Sequence, residues 1–325
     1  MSSKGKADQR LDRPAFNHNV FSAQHLLIDA SFHTFHASTC YLNIWCRKVD
    51  HPLGASGQLC HDRVMGFDFT DKTIVVTGTS GIGLDAAIHL AGSGAKVFLG
   101  GIDDALNTAA QDRARTEHLD ITVTKVDVAD EASVRAWFGA VDAVTGTVHG
   151  LVNAAAIQTY GTVEDTGPAE WDRTVNINLR SCYLTSHVFY PLLKAAMGAA
   201  IVHISSVQGH ANQNKVLAYA TTKGAIHALT RAMAVDCAAD AIRVNTVSPG
   251  SIRTPLLEYS AQQLATGGKS VEDMIGEFGA SHPIGRVGTV GETSAMIAYL
   301  CSDQAGFVTG SDFRIDGGLT AQLGV

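Results

Sequence analysis

The sequence predicts an α/β chain built on a doubly wound parallel sheet, and three observations carry that prediction. From Thr73 onward, short β-branched runs alternate with longer helical patterns at the spacing of strand–helix–strand units. The first junction holds a glycine-rich turn, Gly78-Thr79-Ser80-Gly81-Ile82-Gly83, between a strand and a helix. Further on, Ser206 closes an apolar run, and Tyr219 and Lys223 follow in a helical pattern.

The elements read in order as follows. Thr73 to Thr77 is a short apolar run, a buried strand. The glycine turn leads into a helical pattern from Leu84 to Leu90, which Ser93-Gly94 ends, and Ala95 to Leu99 is a second strand. A further helix starts at Ala105. Ile121 to Val126 is a strand ending at Asp127, Ser133 to Val144 a helix, and Gly150 to Asn153 a strand. Trp171 to Leu193 is a long helix, Ala200 to Ile204 a strand, Tyr219 to Ala239 a helix and Ile242 to Val247 a strand. Thr293 to Leu300 is helical, and Phe313 to Ile315 is a last short strand. In such sheets ligands sit at the carboxyl ends of the strands, where Gly78, Asn153 and Ser206 all fall. The glycine turn and the Ser–Tyr–Lys set therefore open onto one cleft.

Residues 1–65 stand outside this pattern. They hold His18, His25, His33, His36, His51 and His61 with little periodicity, and read as an irregular extension before a domain at 66–325. His33-x-x-His36 with Cys40 and Cys46 fits no standard zinc spacing, so no metal site is read there. Asp8, Asp12 and Asp29 argue against an organelle transit peptide, and without a charged region, apolar run and cleavage site a secretory signal is not expected. Met65 stands just before the patterned part and is a candidate start site, which N-terminal mass analysis of the native protein checks.

Composition narrows the classes. Of 325 residues, 46% are apolar and 17% charged, which fits a chain with a sizeable core. A net charge of −7 offers no footprint for nucleic acid, an anionic membrane or an acidic protein. The six cysteines form no C-x-x-C pair and no disulfide framework, so a reducing, cytoplasmic setting is expected. No apolar run approaches the ~20 residues of a membrane span.

The chemistry of the later cluster is specific. Lys223 stands four residues after Tyr219, which on a helix places both on one face. A phenol has a pKa near ~10, and a neighbouring ammonium favours its ionised form. A hydroxyl from Ser206 can hold a carbonyl or alcohol oxygen against the phenol. The set suits proton transfer to or from a carbon–oxygen group, although a Tyr–Lys pair alone is an ordinary feature of a helix surface. The strand–glycine turn–helix–strand unit from Thr73 to Leu99 is the unit that holds a dinucleotide, its pyrophosphate at the helix N-terminus.

Across about residues 67–320 the chain resembles the short-chain dehydrogenase/reductase family, whose domain is a Rossmann fold. Thr77-Gly78…Gly81-Ile82-Gly83 resembles the family's cofactor turn, and Asp127-Val128 its adenine-holding pair. Asn153-Ala154-Ala155-Ala156 is similar to its Asn-Asn-Ala-Gly. Asn178, Ser206, Tyr219 and Lys223 match its four catalytic positions. Arg243-Val244-Asn245, Ser248-Pro249-Gly250 and Thr254-Pro255 match the strand and loop beneath the nicotinamide, a loop that includes Ile252. Two departures stand out: only Thr79 and Ser80 separate Gly78 from Gly81, one residue fewer than in the family, and Ala154 and Ala156 replace Asn and Gly. The shorter turn is expected to alter the loop that faces the adenosine phosphate and ribose.

The resemblance implies a hydride exchange between a nicotinamide and a substrate carbon. Tyr219 would exchange the proton, Lys223 lower the phenol pKa and bind the nicotinamide ribose, Ser206 position the substrate oxygen, and Asn178 hold a water linking Lys223 to solvent. The cofactor site would comprise Gly78, Ser80, Gly81, Ile82, Gly83, Asp103, Asp127, Val128, Asn153, Ala154, Tyr219, Lys223, Pro249, Gly250, Ile252 and Thr254. Gly101 stands where an NAD-type acid is usual and Ile102 where an NADP-type arginine is common. With Asp103 and Asp104 following and no cation from Gly100 to Asp104, the reading leans to NAD over NADP. An N-cap for the next helix is an equal reading of Asp103.

The loop from Gln208 to Lys215 is polar, and Gln208, His210 and Asn212 are placed to face a polyol, sugar or sugar acid, or else to form a solvated surface. Residues 256–283, with Gly267-Gly268 as hinge, read as a short substrate lid. A 3-oxoacyl thioester reductase is the second choice among enzymes. An extended-branch epimerase or dehydratase is disfavoured by Leu84, which stands where its third glycine belongs. A non-catalytic nucleotide-sensing protein is the alternative of another class. The resemblance also implies a homotetramer or homodimer built on the helices around Trp171–Leu193 and Tyr219–Ala239.

Overall fold

The computed structural model describes residues 66–323; the extension, the histidine–cysteine group and the start-site reading lie outside them. Seven strands form one sheet: β1 (Thr73–Thr77), β2 (Lys96–Gly101), β3 (Ile121–Lys125), β4 (Gly150–Asn153), β5 (Ala200–Ile204), β6 (Arg243–Pro249) and β7 (Asp312–Ile315). Their order is β3-β2-β1-β4-β5-β6-β7, and every pairing is parallel. The chain moves outward from β1 through β2 to β3, then returns to lay β4 on the other side of β1. That reversal opens the crevice that holds the site.

Nine α-helices connect the described strands: α1 (Gly81–Gly92), α2 (Asp104–Thr116), α3 (Glu131–Thr145), α4 (Pro168–Val175), α5 (Ser181–Ala195), α6 (Leu217–Cys237), α7 (Pro255–Leu264), α8 (Val271–Ala280) and α9 (Val290–Cys301). Strand alternation sorts the side chains onto two faces. Ile74 and Val76 enter one core with Leu90 of α1 and Ile297 of α9. Val75 between them enters the opposite core with Trp137 of α3 and Phe189 of α5, whose rings meet edge to face at 5.3 Å. A sheet covered on both faces explains why the strands read as apolar runs rather than alternating ones.

Three elements differ from the sequence reading. The helix expected over Trp171–Leu193 is α4 and α5 joined by a π-helical turn, Asn176–Arg180, which carries Asn178. Such one-residue slips in the hydrogen-bond ladder leave the side-chain pattern nearly helical, so the sequence does not announce them. β2 runs on to Gly101, because pairing with β1 and β3 continues there despite two glycines. The segment read as a lid is two helices, α7 and α8, packed through Leu257, Leu264, Met274, Ile275 and Phe278. Gly267 and Gly268 lie between them with φ of +65° and +80°, backbone that favours glycine. Among the described residues no helix is long and apolar enough to cross a membrane.

Candidate active site

A cleft of about 990 Å³ runs along the carboxyl ends of the strands. At its first end β1 delivers the glycine turn. The Thr77 hydroxyl accepts from the Ala154 and Ala155 amides at 3.0 and 3.1 Å, which ties the ends of β1 and β4 together across the switch point. Gly78 has φ +100° and donates its amide to Gly100 at 2.8 Å. Gly78, Ser80, Gly81 and Ile82 line the cleft; Gly83 does not. A Cβ on Gly83 would lie 2.3 Å from the Gly78 carbonyl oxygen, so this glycine sets the packing of α1 on the turn rather than touching a ligand. Ser80 caps α1 without a side-chain bond, and no acid stands in the first turn. The leading amides of α1 are left to a ligand, which is the chemistry a diphosphate needs.

The expected adenosine contacts divide. Asp127 and Val128 line the cleft, and the Asp127 carboxylate accepts from the Ala129 amide at 2.9 Å. Asp103 also lines it, but its carboxylate caps α2 by accepting from Leu106 at 2.9 Å, so the capping reading of this residue holds. Asp104 pairs with Lys125 at 2.7 Å on the surface. Asn153, expected in the cofactor set, does not line the cleft. Its amide is buried between His203 Nδ1 at 3.2 Å and Thr185, whose hydroxyl donates to it at 2.7 Å; Ala154 beside it lines the cleft instead. Pro249, Gly250, Ile252 and Thr254 line the far side, and Thr254 caps α7.

The catalytic candidates converge. Ser206, just past β5, accepts the Gln208 amide at 3.1 Å and faces the cleft with Tyr219 and Lys223 from α6. Lys223 donates to the Ile204 carbonyl at 2.8 Å, and its nitrogen sits 5.4 Å from the centre of the Tyr219 ring. Burial pushes the Tyr219 phenol up to about 12, and a hydrogen bond with Ser206 opposes this only in part. Burial likewise brings the Lys223 ammonium down to about 8. The phenol lowering expected from Lys223 is thus absent in this structure, because desolvation of the phenolate outweighs the gain from its neighbours.

Asn178 is buried and does not line the cleft. Its amide brackets one residue, accepting from the Ile157 amide at 2.8 Å and donating to the Ile157 carbonyl at 2.9 Å, with Thr222 of α6 at 3.4 Å. It pins the segment after β4 against the helix that carries Lys223. Gln208 and Asn212 line the cleft. His210, expected beside them, is turned away: its Nε2 lies 2.7 Å from the Asp312 carboxylate and its ring stacks on His227 at 4.3 Å. An acid at the sheet edge, brought close only by the fold, draws it off the substrate side.

Among the lining residues that sequence reading did not assign to the site are Thr79, Gln158, Tyr160 and Arg173. The Tyr160 hydroxyl and the Gln208 carbonyl oxygen are both shut from solvent without a hydrogen-bond partner. The one signal for Gln158 and Tyr160 was position, a few residues beyond a strand end.

A family model described as enoyl-(acyl carrier protein) reductase matches residues 76–320. Cyclopentanol dehydrogenase of Comamonas testosteroni is 38% identical over 256 residues, covering 77% of this chain and 98% of that protein. The NADP-dependent (R)-specific alcohol dehydrogenase of Lentilactobacillus kefiri is 33% identical over 266 residues, covering 80% of this chain and 99% of that protein. Among solved structures, the aldohexose dehydrogenase of Thermoplasma acidophilum aligns with a TM-score of 0.73 and 32% identity, over 80% of this chain and 98% of that one.

Proposed function

The chain belongs to the short-chain dehydrogenase/reductase family, and from that premise we propose that it interconverts a secondary alcohol and a ketone on a polyol, sugar or sugar acid, with Tyr219 as general acid and base. It is an NAD(P)-dependent oxidoreductase acting on CH–OH groups, which sets aside the sensor and epimerase readings. The observation that carries the mechanism is the meeting of Ser206, Tyr219 and Lys223 at one wall of the cleft, with the ammonium 5.4 Å from the phenol ring centre.

The nicotinamide, when bound, supplies or takes up the hydride. The chain does the rest. The glycine turn and the α1 N-terminus hold the diphosphate, Asp127 and Val128 the adenine, and Ala154, Pro249, Gly250, Ile252 and Thr254 the nicotinamide end. Ser206 orients the substrate oxygen. Tyr219 gives its proton to that oxygen in reduction and takes it back in oxidation. Lys223, brought down to about 8, exchanges protons near neutral pH and so serves the phenol as a proton partner. Asn178 holds the backbone beside Lys223 in place, and the water-linked relay of the family is assigned to it.

The unpartnered oxygens of Gln208 and Tyr160 support a substrate rich in hydroxyls, since buried polar atoms are ordinarily bonded. A structural relative is named for an aldohexose. The second reading, a 3-oxoacyl thioester reductase, draws on the matched family model's description and on Leu256, Leu257, Leu264 and Phe278 along the cleft. The α7–α8 pair is read as the lid over the substrate. A cytoplasmic homo-oligomer paired through α5 and α6 is the assembly expected, and sedimentation velocity measures it. The cofactor reading is NAD, because the cleft lining at the end of β2 holds no cation, and Lys125 beside Gly101 is paired with Asp104.

The test is absorbance at the reduced-nicotinamide band while sugars, polyols, cyclic alcohols and 3-oxo esters are offered with each nucleotide. Tyr219→Phe should lower turnover by about 10²-fold or more with nucleotide binding kept. Near-normal turnover in that variant overturns the assignment.

A further inference from the structure

Gly101 closes β2, is buried, and forms part of the cleft wall. In dinucleotide sites an acid near this strand end commonly accepts from the ribose 2′-hydroxyl, and a cation there takes the 2′-phosphate. Neither is available here. A Cβ at position 101 would lie 2.3 Å from Thr79 Oγ1 and 2.7 Å from Asn107 Oδ1, so even alanine does not fit. The acids that follow are committed elsewhere, Asp103 to the α2 cap and Asp104 to Lys125.

What occupies the place is neutral. Thr79 is 5% exposed and lines the cleft, and its hydroxyl has no hydrogen-bond partner among the described residues. The Asn107 side chain donates its Nδ2 to the Gly101 carbonyl at 2.9 Å, which fixes its other end as oxygen. That oxygen is buried and unpartnered. Thr79 stands where it does because only Thr79 and Ser80 separate Gly78, whose amide is tied to Gly100, from Gly81, where α1 begins. The short turn and the glycine at 101 are therefore one device: the turn drops a threonine into the room that a strand-end side chain would fill.

Resting on the nicotinamide-nucleotide reading above, we propose that Thr79, backed by Asn107, is the group that recognises the adenosine 2′-hydroxyl and so selects the unphosphorylated nucleotide. A ribose hydroxyl can donate to Thr79 Oγ1, and the Asn107 Oδ1 acceptor lies on the same side of Gly101. A 2′-phosphate brings only acceptors and negative charge. It meets two acceptor oxygens and nearby carboxylates, and the one cation beside Gly101, Lys125, is turned outward onto Asp104, so it is disfavoured.

Calorimetric titration of the full chain with NADH, NADPH and NADH lacking the adenosine 2′-hydroxyl tests this. The wild type should bind NADH about tenfold more tightly than the deoxy form, the size of one or two neutral hydrogen bonds, and NADPH more weakly than NADH. Thr79→Val should bring NADH and the deoxy form to equal affinity, and Thr79→Ser should restore the gap. Gly101→Asp, which installs the usual acid, should weaken NADH because the new side chain displaces Thr79. Equal wild-type binding of NADH and the deoxy form, binding of NADPH as tight as NADH, or a tighter Gly101→Asp variant overturns the proposal. The wild-type comparison needs no variant to fold. Absence of binding by all three nucleotides overturns the nucleotide reading as well, whereas binding without discrimination overturns this proposal alone.

Discussion

Acid should destabilise this fold through one buried histidine. His203 is fully buried near the carboxyl end of β5, its Nδ1 accepts from the Asn153 amide, and its Nε2 has no partner. Burial, with the Lys223 charge adding to it, pulls its pKa from 6.5 down to about 4. The unfolded chain then binds the proton more readily than the folded one, so stability is present above about pH 6.5 and falls as pH drops toward 4. Integrated over that window the loss is about 3 kcal/mol, taking about 1.4 kcal/mol per pKa unit. That is a large part of the 5–15 kcal/mol of a typical domain. Carboxylates titrate in the same range, so the assay is a difference: urea unfolding of the wild type and of His203→Asn, which keeps an acceptor toward Asn153, at pH 7 and pH 4.5. The variant starts lower, from the lost ring volume, but should lose about 2 kcal/mol less than the wild type on acidification. Parallel losses in the two proteins refute the reasoning.

Two further outcomes follow from the site. Without added nucleotide, the phenolate absorbance of Tyr219, taken as wild type minus Tyr219→Phe, should not appear below about pH 11, since burial holds this phenol near 12; a midpoint below pH 9 would show that Lys223 already dominates the free site. Gly83→Ala should cost about 2 kcal/mol or more in urea unfolding and weaken dinucleotide binding, because its Cβ meets backbone oxygens at 2.3 and 2.8 Å rather than a side chain that can turn aside; unchanged stability would mean that α1 shifts freely on the turn.

Much of this was legible in the sequence because it depends on local rules. Apolar β-branched runs such as Thr73–Thr77 and Ala200–Ile204 give strands whatever surrounds them, and their alternation with helices fixes a parallel sheet. The glycine turn and the Tyr219–Lys223 spacing are likewise local, so the cleft and its proton-transfer wall could be named from the order of residues. The identity of a side chain's partner is not local. Asn153 and Asn178 look alike as cleft residues, yet the packing of α5, α6 and β5 turns both into buried pins. His210 leaves the substrate loop for Asp312, a residue far along the chain that sheet pairing brings beside it. The direction of the Tyr219 shift also needed the fold, because desolvation depends on what covers the phenol. The missing turn residue and the glycine at 101 were both visible as single letters. Only the tertiary structure joined them, since the close approach of Thr79 to the end of β2 is set by how α1 and the sheet pack, which no spacing along the chain encodes.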